Sequence, residues 1–97
     1  MNKGGHVYIM TNKRYGVLYI GVTSNLPARI TQHCEGKGGD FTAKYQCTRL
    51  VYVEEYPTIE EAIAREKAMK AWKREWKIEA IENQNPAWED LYFKLLA

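Results

Sequence analysis

Several marks of a specialised chain are missing from this sequence, and each gap excludes something. There are only two cysteines, Cys34 and Cys47, too few for a disulfide scaffold. A reduced intracellular protein, cytoplasmic in location, is therefore the expectation. Long apolar runs are also missing: the longest, Val17 to Val22, is six residues with a glycine inside, far short of the ~20 that a membrane-spanning helix needs. No charged start followed by an apolar stretch opens the chain, so no secretory signal is expected. Internal repeats, low-complexity tracts and linkers are not seen either. With 97 residues, 45% hydrophobic and 27% charged, residues 1–97 read as one small globular domain and exclude a disordered tail or a collagen-like repeat.

Net charge is low as well, at +2, but it is unevenly spread. Residues 1–51 sum to +5, residues 52–64 to −4, residues 65–77 to +4 and the remainder to −3. Such segregation can give a basic face suited to a polyanion, or simply a solvated helix of mixed charge. Charge alone decides nothing here.

What is present is a legible order of elements. His6 to Thr11 and Gly16 to Thr23 read as strands separated by turn-forming residues, hence a hairpin. A loop centred between Lys13 and Arg14 puts Tyr8 opposite Tyr19. A two-residue slip keeps both phenols on one face, and a one-residue slip separates them. Ser24 or Asn25 caps a short helix with Pro27 in its first turn, Leu26 and Ile30 facing the sheet, and Arg29 and His33 beside that stripe. Glu35 to Asp40 is glycine-rich but lacks a P-loop ending, so it reads as a flexible connection. Leu50 to Tyr56 is a third strand.

Thr58 with Glu61 starts a helix from Ile59. Ile59, Ala62, Ile63 and Met69 give its buried stripe, and Glu66 falls in that stripe, where a carboxylate needs a reason. Trp72 and Trp76 continue the apolar surface, with Ile78 and Ile81 beyond a bend. Asn83 to Pro86 ends the pattern. Ala87 to Leu96 closes the chain as a helix with Trp88, Leu91 and Leu95 inward. The fold class is α/β (α+β): a three-stranded, mainly antiparallel sheet with helices about it.

Val7-Tyr8-Ile9, ten intervening residues from Tyr8 to Tyr19, Tyr19-Ile20-Gly21, and Arg29 eight positions after Gly21 form an ordered set. With Glu66 downstream and an asparagine near the end, the set resembles the GIY-YIG endonuclease superfamily. Arg65-Glu66-Lys67, Trp72 to Lys77 and Asn85-Pro86-Ala87-Trp88 are similar to its small bacterial members. The resemblance implies a metal-dependent DNA endonuclease acting in DNA repair or processing. Tyr8 would orient or deprotonate the attacking water and Tyr19 would assist. Arg29 would grip the phosphate, His33 would stand near the scissile bond, and Glu66 would hold one Mg²⁺ or Mn²⁺. Asn83 and Asn85 compete for the asparagine role, with Asn85 favoured. Three departures stand out: His6 replaces the first motif's glycine, Val22 stands where excision-repair relatives have lysine, and the Glu66 to Asn85 interval is long.

Those residue types suit the chemistry. Phosphodiester hydrolysis needs an activated water, charge neutralisation on the phosphate and a stabilised leaving oxygen. One carboxylate can hold Mg²⁺ when phosphate and water complete an octahedral shell, and arginine offers a rigid fork. Tyrosine has an ordinary pKa of ~10, so action as a base would need cations that favour phenolate. Each residue alone has a plainer reading: tyrosines as core, Glu66 as an i,i+4 partner of Lys70, Asn85 as a turn. A zinc set from Cys34, Cys47, His6 and His33 lacks paired-ligand spacing. The alternatives to a nuclease are a nucleic-acid-binding or adaptor module with the same fold, and a protein-interaction domain using the tryptophan surface. DNA is the expected partner and a membrane is not. A protein partner or homodimer is left to supply specificity.

Overall fold

The computed structural model describes residues 4–96. In chain order these form β1 (Gly5–Thr11), β2 (Leu18–Thr23), α1 (Leu26–Cys34), α2 (Asp40–Lys44), β3 (Arg49–Tyr56), α3 (Ile59–Lys70), α4 (Arg74–Gln84) and α5 (Tyr92–Leu96). The three strands make one antiparallel sheet in the order β2-β1-β3. β1 is the middle strand, and helices cover both of its faces, so Val7, Tyr8, Ile9 and Met10 are all fully buried. On one face Val7, Ile9 and Ile20 pack with Ala62, Met69, Ile81 and Trp88. On the other, Tyr8 and Met10 pack with Leu26, Ile30, Cys47 and Leu50. No helix among the described residues is long and apolar enough to cross a membrane.

The hairpin register differs from the sequence expectation. Tyr8 lies opposite Gly21, and Tyr19 lies opposite Met10. The cause is the loop. Gly16 N–H donates to the Lys13 carbonyl at 2.9 Å, Val17 N–H donates to Asn12 Oδ1 at 2.9 Å, and Tyr15 takes a left-handed conformation with φ 59°. These shift the turn centre past Arg14. The slip is two residues, so both phenols keep the same face. On the other side of β1 the pairing passes from Ile9–Tyr52 to Met10–Leu50, which leaves Val51 as a bulge. Both Val51 and Tyr52 then turn into the α3/α4 core.

α1 starts as expected, with Asn25 Oδ1 accepting the Ala28 N–H and Pro27 in the first turn. α2 has no counterpart in the sequence reading, because five residues are too few to show a period. Thr58 caps α3 by accepting the Glu61 N–H. Two residues of the expected stripe do not go inward: Ile63 is 38% exposed and Trp76 is 52% exposed. α3 ends at Lys70 and α4 restarts at Arg74, so the stripe turns away from the sheet before Trp76. Trp72 is half-buried beneath the Arg65 guanidinium, 4.8 Å from its ring centroid.

The C-terminal segment also departs from expectation. Trp88 is fully buried but not helical; it sits at φ 57°, packs against Tyr15 in a tilted arrangement with ring centroids 5.1 Å apart and donates its indole N–H to Glu82. Only Tyr92–Leu96 is helix. Leu91 is half-buried, and the expectation that Leu95 points inward concerns a side chain outside those described. The segment before α5 closes the outer edge of β3. Gln84 pairs with both the N–H and the carbonyl of Val53, at 2.9 and 2.7 Å. Asn85 Nδ2 donates to Val51 O, Leu50 N–H donates to Asp90 Oδ1, and Leu91 N–H donates to Leu50 O. An edge so covered is no template for further pairing.

Candidate active site

The candidate residues gather at the opposite edge, around β2. Gly21 faces Tyr8, and any Cβ there would run into the Tyr8 ring and hydroxyl. Glycine at this position is what lets the phenol lie across the second strand. The Tyr8 hydroxyl meets His33 Nε2 at 2.8 Å, and His33 Nδ1 meets Thr42 Oγ1 at 3.1 Å. Tyr19 completes an aromatic triangle, 6.3 Å from Tyr8 and 5.4 Å from His33 between ring centroids. Phe41 of α2 packs on the far side of Tyr19. His33 is buried, where the sequence reading had put it beside the apolar stripe. It continues Leu26 and Ile30 at helical spacing, so the same face that buries them buries the imidazole.

Arg29 lies one turn before His33 and is half-buried. Its guanidinium donates to the Gly38 carbonyl at 2.8 Å and to Gln32 Oε1 at 3.0 Å. Burial pushes the Tyr8 phenol up to about 12 despite the pull of Arg29, and Tyr19 and Glu66 add to the rise. Burial and the Arg29 charge push His33 down to about 4. At neutral pH the pair is therefore a protonated phenol beside a neutral imidazole. The phenolate-favouring cations that base action by Tyr8 would require do not prevail over burial in this resting site.

Glu66 approaches from α3, near enough for its charge to raise the Tyr8 pKa. Its side chain is 13% exposed and pairs with Lys70 at 3.2 Å, the i,i+4 contact that spacing alone suggests. Among the described residues no three His, Cys, Asp or Glu groups converge as a metal cage. A hard, half-enclosed carboxylate with one lysine partner nonetheless fits a divalent ion whose other ligands are phosphate and water. The zinc set has no structural counterpart. Cys34 and Cys47 are free thiols, both raised in pKa chiefly by burial, and His6 pairs instead with Glu55 at 3.3 Å.

Asn85 is not brought to this cluster. Its Nδ2 also donates to Glu89 O, and its Oδ1 accepts the Glu89 N–H, so its amide is bound to backbone at the β3 edge. Two strand spacings, about 10 Å, separate β3 from β2. Asn83 lies with Trp72 and Trp76 along a groove on α4. Sequence reasoning missed Thr42, Phe41 and the β2-edge groove of about 280 Å³, which Leu18, Tyr19, Ile20, Phe41, Lys70 and Lys77 line. The glycine run before α2 was the only signal of that region. It read as a plain connection because its role depends on contacts distant in sequence.

Comparison with known proteins bears on the family and the fold. The family model described as the GIY-YIG catalytic domain matches residues 4–79. A UPF0213 protein of Staphylococcus haemolyticus is 38% identical over 79 residues, spanning 81% of this chain and 95% of that protein. One from Bacillus pumilus is 34% identical over 82 residues, 84% of each. The solution NMR structure of a UPF0213 protein from Bacillus halodurans superposes with a TM-score of 0.57 at 31% identity, covering 90% of this chain and 92% of that one.

Proposed function

The chain belongs to the GIY-YIG catalytic-domain family, and from that membership we propose that it is a metal-dependent endonuclease hydrolysing phosphodiester bonds in DNA. The observation that carries the proposal is the 2.8 Å bond between the Tyr8 hydroxyl and His33 Nε2, with Tyr19, Arg29 and Glu66 around it. These residues come from β1, β2, α1 and α3, a convergence that strand or helix propensity does not require.

The geometry supports the following roles. Arg29 is held by a carbonyl and an amide, both neutral acceptors, so a phosphate anion displaces them readily and takes the guanidinium fork. With Tyr8 donating its proton to His33, the phenol oxygen can accept a hydrogen bond from a water that enters with the substrate, since Tyr8 is fully buried in the resting fold. As the water oxygen attacks phosphorus, its proton passes to Tyr8 and the Tyr8 proton passes to His33 Nε2. The P–O3′ bond breaks, and the departing oxygen takes a proton from solvent. Because both transfers occur together, no free phenolate is needed, which suits the high pKa of Tyr8. The low pKa of His33 keeps Nε2 unprotonated to accept, while making it a weak base whose imidazolium the incoming phosphate charge must stabilise. Tyr19 closes the aromatic wall and presents its hydroxyl to the same space. Glu66 would hold one Mg²⁺ or Mn²⁺ once Lys70 releases it. The bound ion would withdraw charge from the phosphate and the leaving oxygen. Proton transfer contributes roughly 10²–10⁴-fold, so charge neutralisation supplies much of the remainder. Lys70 and Lys77 in the β2-edge groove give a DNA backbone a path to the site.

The second reading is a DNA-binding or adaptor module. The burial of Tyr8 and the Glu66–Lys70 pair favour it, since both groups are occupied in the resting fold. A screen of duplex, branched and single-stranded DNA with and without Mg²⁺ or Mn²⁺ separates the two. Cleavage abolished by EDTA is expected of the nuclease. Salt-sensitive binding with no cleavage under any condition would replace that reading with the second.

A further inference from the structure

The glycine-rich loop and α2 meet the candidate site at His33, and they do so through hydrogen bonds with a defined direction. Thr42 Oγ1 donates its single proton to the Gly39 carbonyl at 3.3 Å. A carbonyl cannot donate, so placing the Thr42 proton on the Gly39 carbonyl, which also accepts the Ala43 N–H at 3.1 Å, sets the direction of the next link. Thr42 Oγ1 is left to accept, and His33 Nδ1–H donates to it at 3.1 Å. His33 is neutral, so its Nε2 is then an acceptor, and the Tyr8 hydroxyl donates to it at 2.8 Å. Thr42 and His33 are each 1% exposed, which keeps water from substituting for either partner.

The loop is shaped for this contact. Gly39 adopts φ 127°, a conformation that side chains rarely take, and its carbonyl is the end of the chain of bonds. Gly38 lies flat against the imidazole, where a Cβ would collide with His33 Nδ1. Arg29 ties the same peptide down through the Gly38 carbonyl.

We infer that Thr42 is a positioning residue: through the Gly39 carbonyl it holds His33 as the Nδ1–H tautomer, so that Nε2 accepts the Tyr8 hydroxyl and the phenol oxygen keeps its lone pairs for water. The importance of this for cleavage rests on the proposed role of Tyr8. The bond direction itself does not. In the opposite tautomer, Nε2–H donates to Tyr8, occupies one of its lone pairs and turns the phenol proton away from the imidazole that would accept it.

The test is ¹⁵N NMR of the imidazole nitrogens in the full chain, with His33 assigned by loss of its signals in His33→Gln. Only one other histidine, His6, is present. The wild-type protein is expected to show a protonated Nδ1 and an unprotonated Nε2, and this measurement needs no variant to fold. Thr42→Val removes the acceptor at nearly constant volume, so the Nε2–H form should become the major one. The cleavage kcat should then fall about tenfold or more with KM for DNA unchanged. Thr42→Ser should restore both tautomer and rate. A wild-type His33 protonated on Nε2, or a tautomer unaltered in a folded Thr42→Val protein, would overturn the inference. A tautomer that switches as expected in a protein with no cleavage activity would support the inference and count against the nuclease reading alone.

Discussion

Along β3 the backbone of the outer edge is bonded by Gln84, Asn85, Asp90 and Leu91, whereas beside β2 an open groove runs past Tyr19 between Phe41 and two lysines. The two edges also treat carboxylates differently. Glu54 on β3 receives both arms of Arg65, at 3.0 and 3.1 Å, and the hydroxyls of Tyr52 and Tyr56. Burial alone would raise its pKa, but those bonds outweigh burial and hold it below the usual carboxylate range. Glu66 near β2 has one flexible lysine. A saturated carboxylate is a fastening, and a carboxylate with one replaceable partner is free to take a cation. The same contrast separates Asn85, whose amide is bound to backbone, from Arg29, whose acceptors a phosphate can displace.

The sharpest way to break that comparison is at Tyr8. Tyr8→Phe should lower the cleavage rate by roughly 10²–10⁴-fold. Stability should fall by only ~1–3 kcal/mol, the cost of leaving buried His33 Nε2 without a donor. Single-turnover cleavage and thermal unfolding read the two effects, and wild-type turnover in the variant would remove Tyr8 from the mechanism.

A smaller effect is expected from pH. His33 has a folded pKa of about 4 against 6.5 unfolded, so between those values the unfolded chain binds more protons. Its contribution is full above pH 6.5 and is lost as pH falls toward 4, by at most about 3 kcal/mol. Urea unfolding of the wild type and His33→Gln across pH 4–8 isolates it. Parallel curves would show that the imidazole is not held neutral.

At the closed edge the pattern should invert. Asn85→Ala orphans the Val51 carbonyl and two groups of Glu89, costing roughly 1–3 kcal/mol, while cleavage per folded molecule stays at the wild-type level. A variant of normal stability that cuts a hundredfold more slowly would return Asn85 to the catalytic role that the family resemblance implies.

The alternation in β1 and β2 made the sheet legible, and parity kept Tyr8 and Tyr19 together although the register was two residues off. The error came from Tyr15, since a left-handed tyrosine leaves no mark in a sequence. Trp88 misled for the same reason. Periodicity put Trp76 inside because it follows polarity and not the extent of the sheet, which α3 has left by Lys70; the exposure of Ile63, between buried Ala62 and Met69, has no such explanation. Glu66 was legible twice, as a carboxylate in a buried stripe and as a partner for Lys70, and the structure contains both. His33 was found through the resemblance, yet its burial was already written in the spacing from Leu26 and Ile30. Thr42 had no local signal: its role comes from a bond to His33, nine residues away, in a helix too short to predict.

The central claim is that the β2 edge is a cutting centre with Glu66 as its metal-binding carboxylate. Glu66→Gln keeps shape and removes charge, and losing the Lys70 pair costs only a few tenths of a kcal/mol. Melting temperature, DNA affinity in EDTA and Mg²⁺-dependent cleavage on one preparation test the claim directly. The account predicts a folded protein that binds DNA as well as the wild type or better and does not cleave it. Full cleavage by folded Glu66→Gln would contradict it.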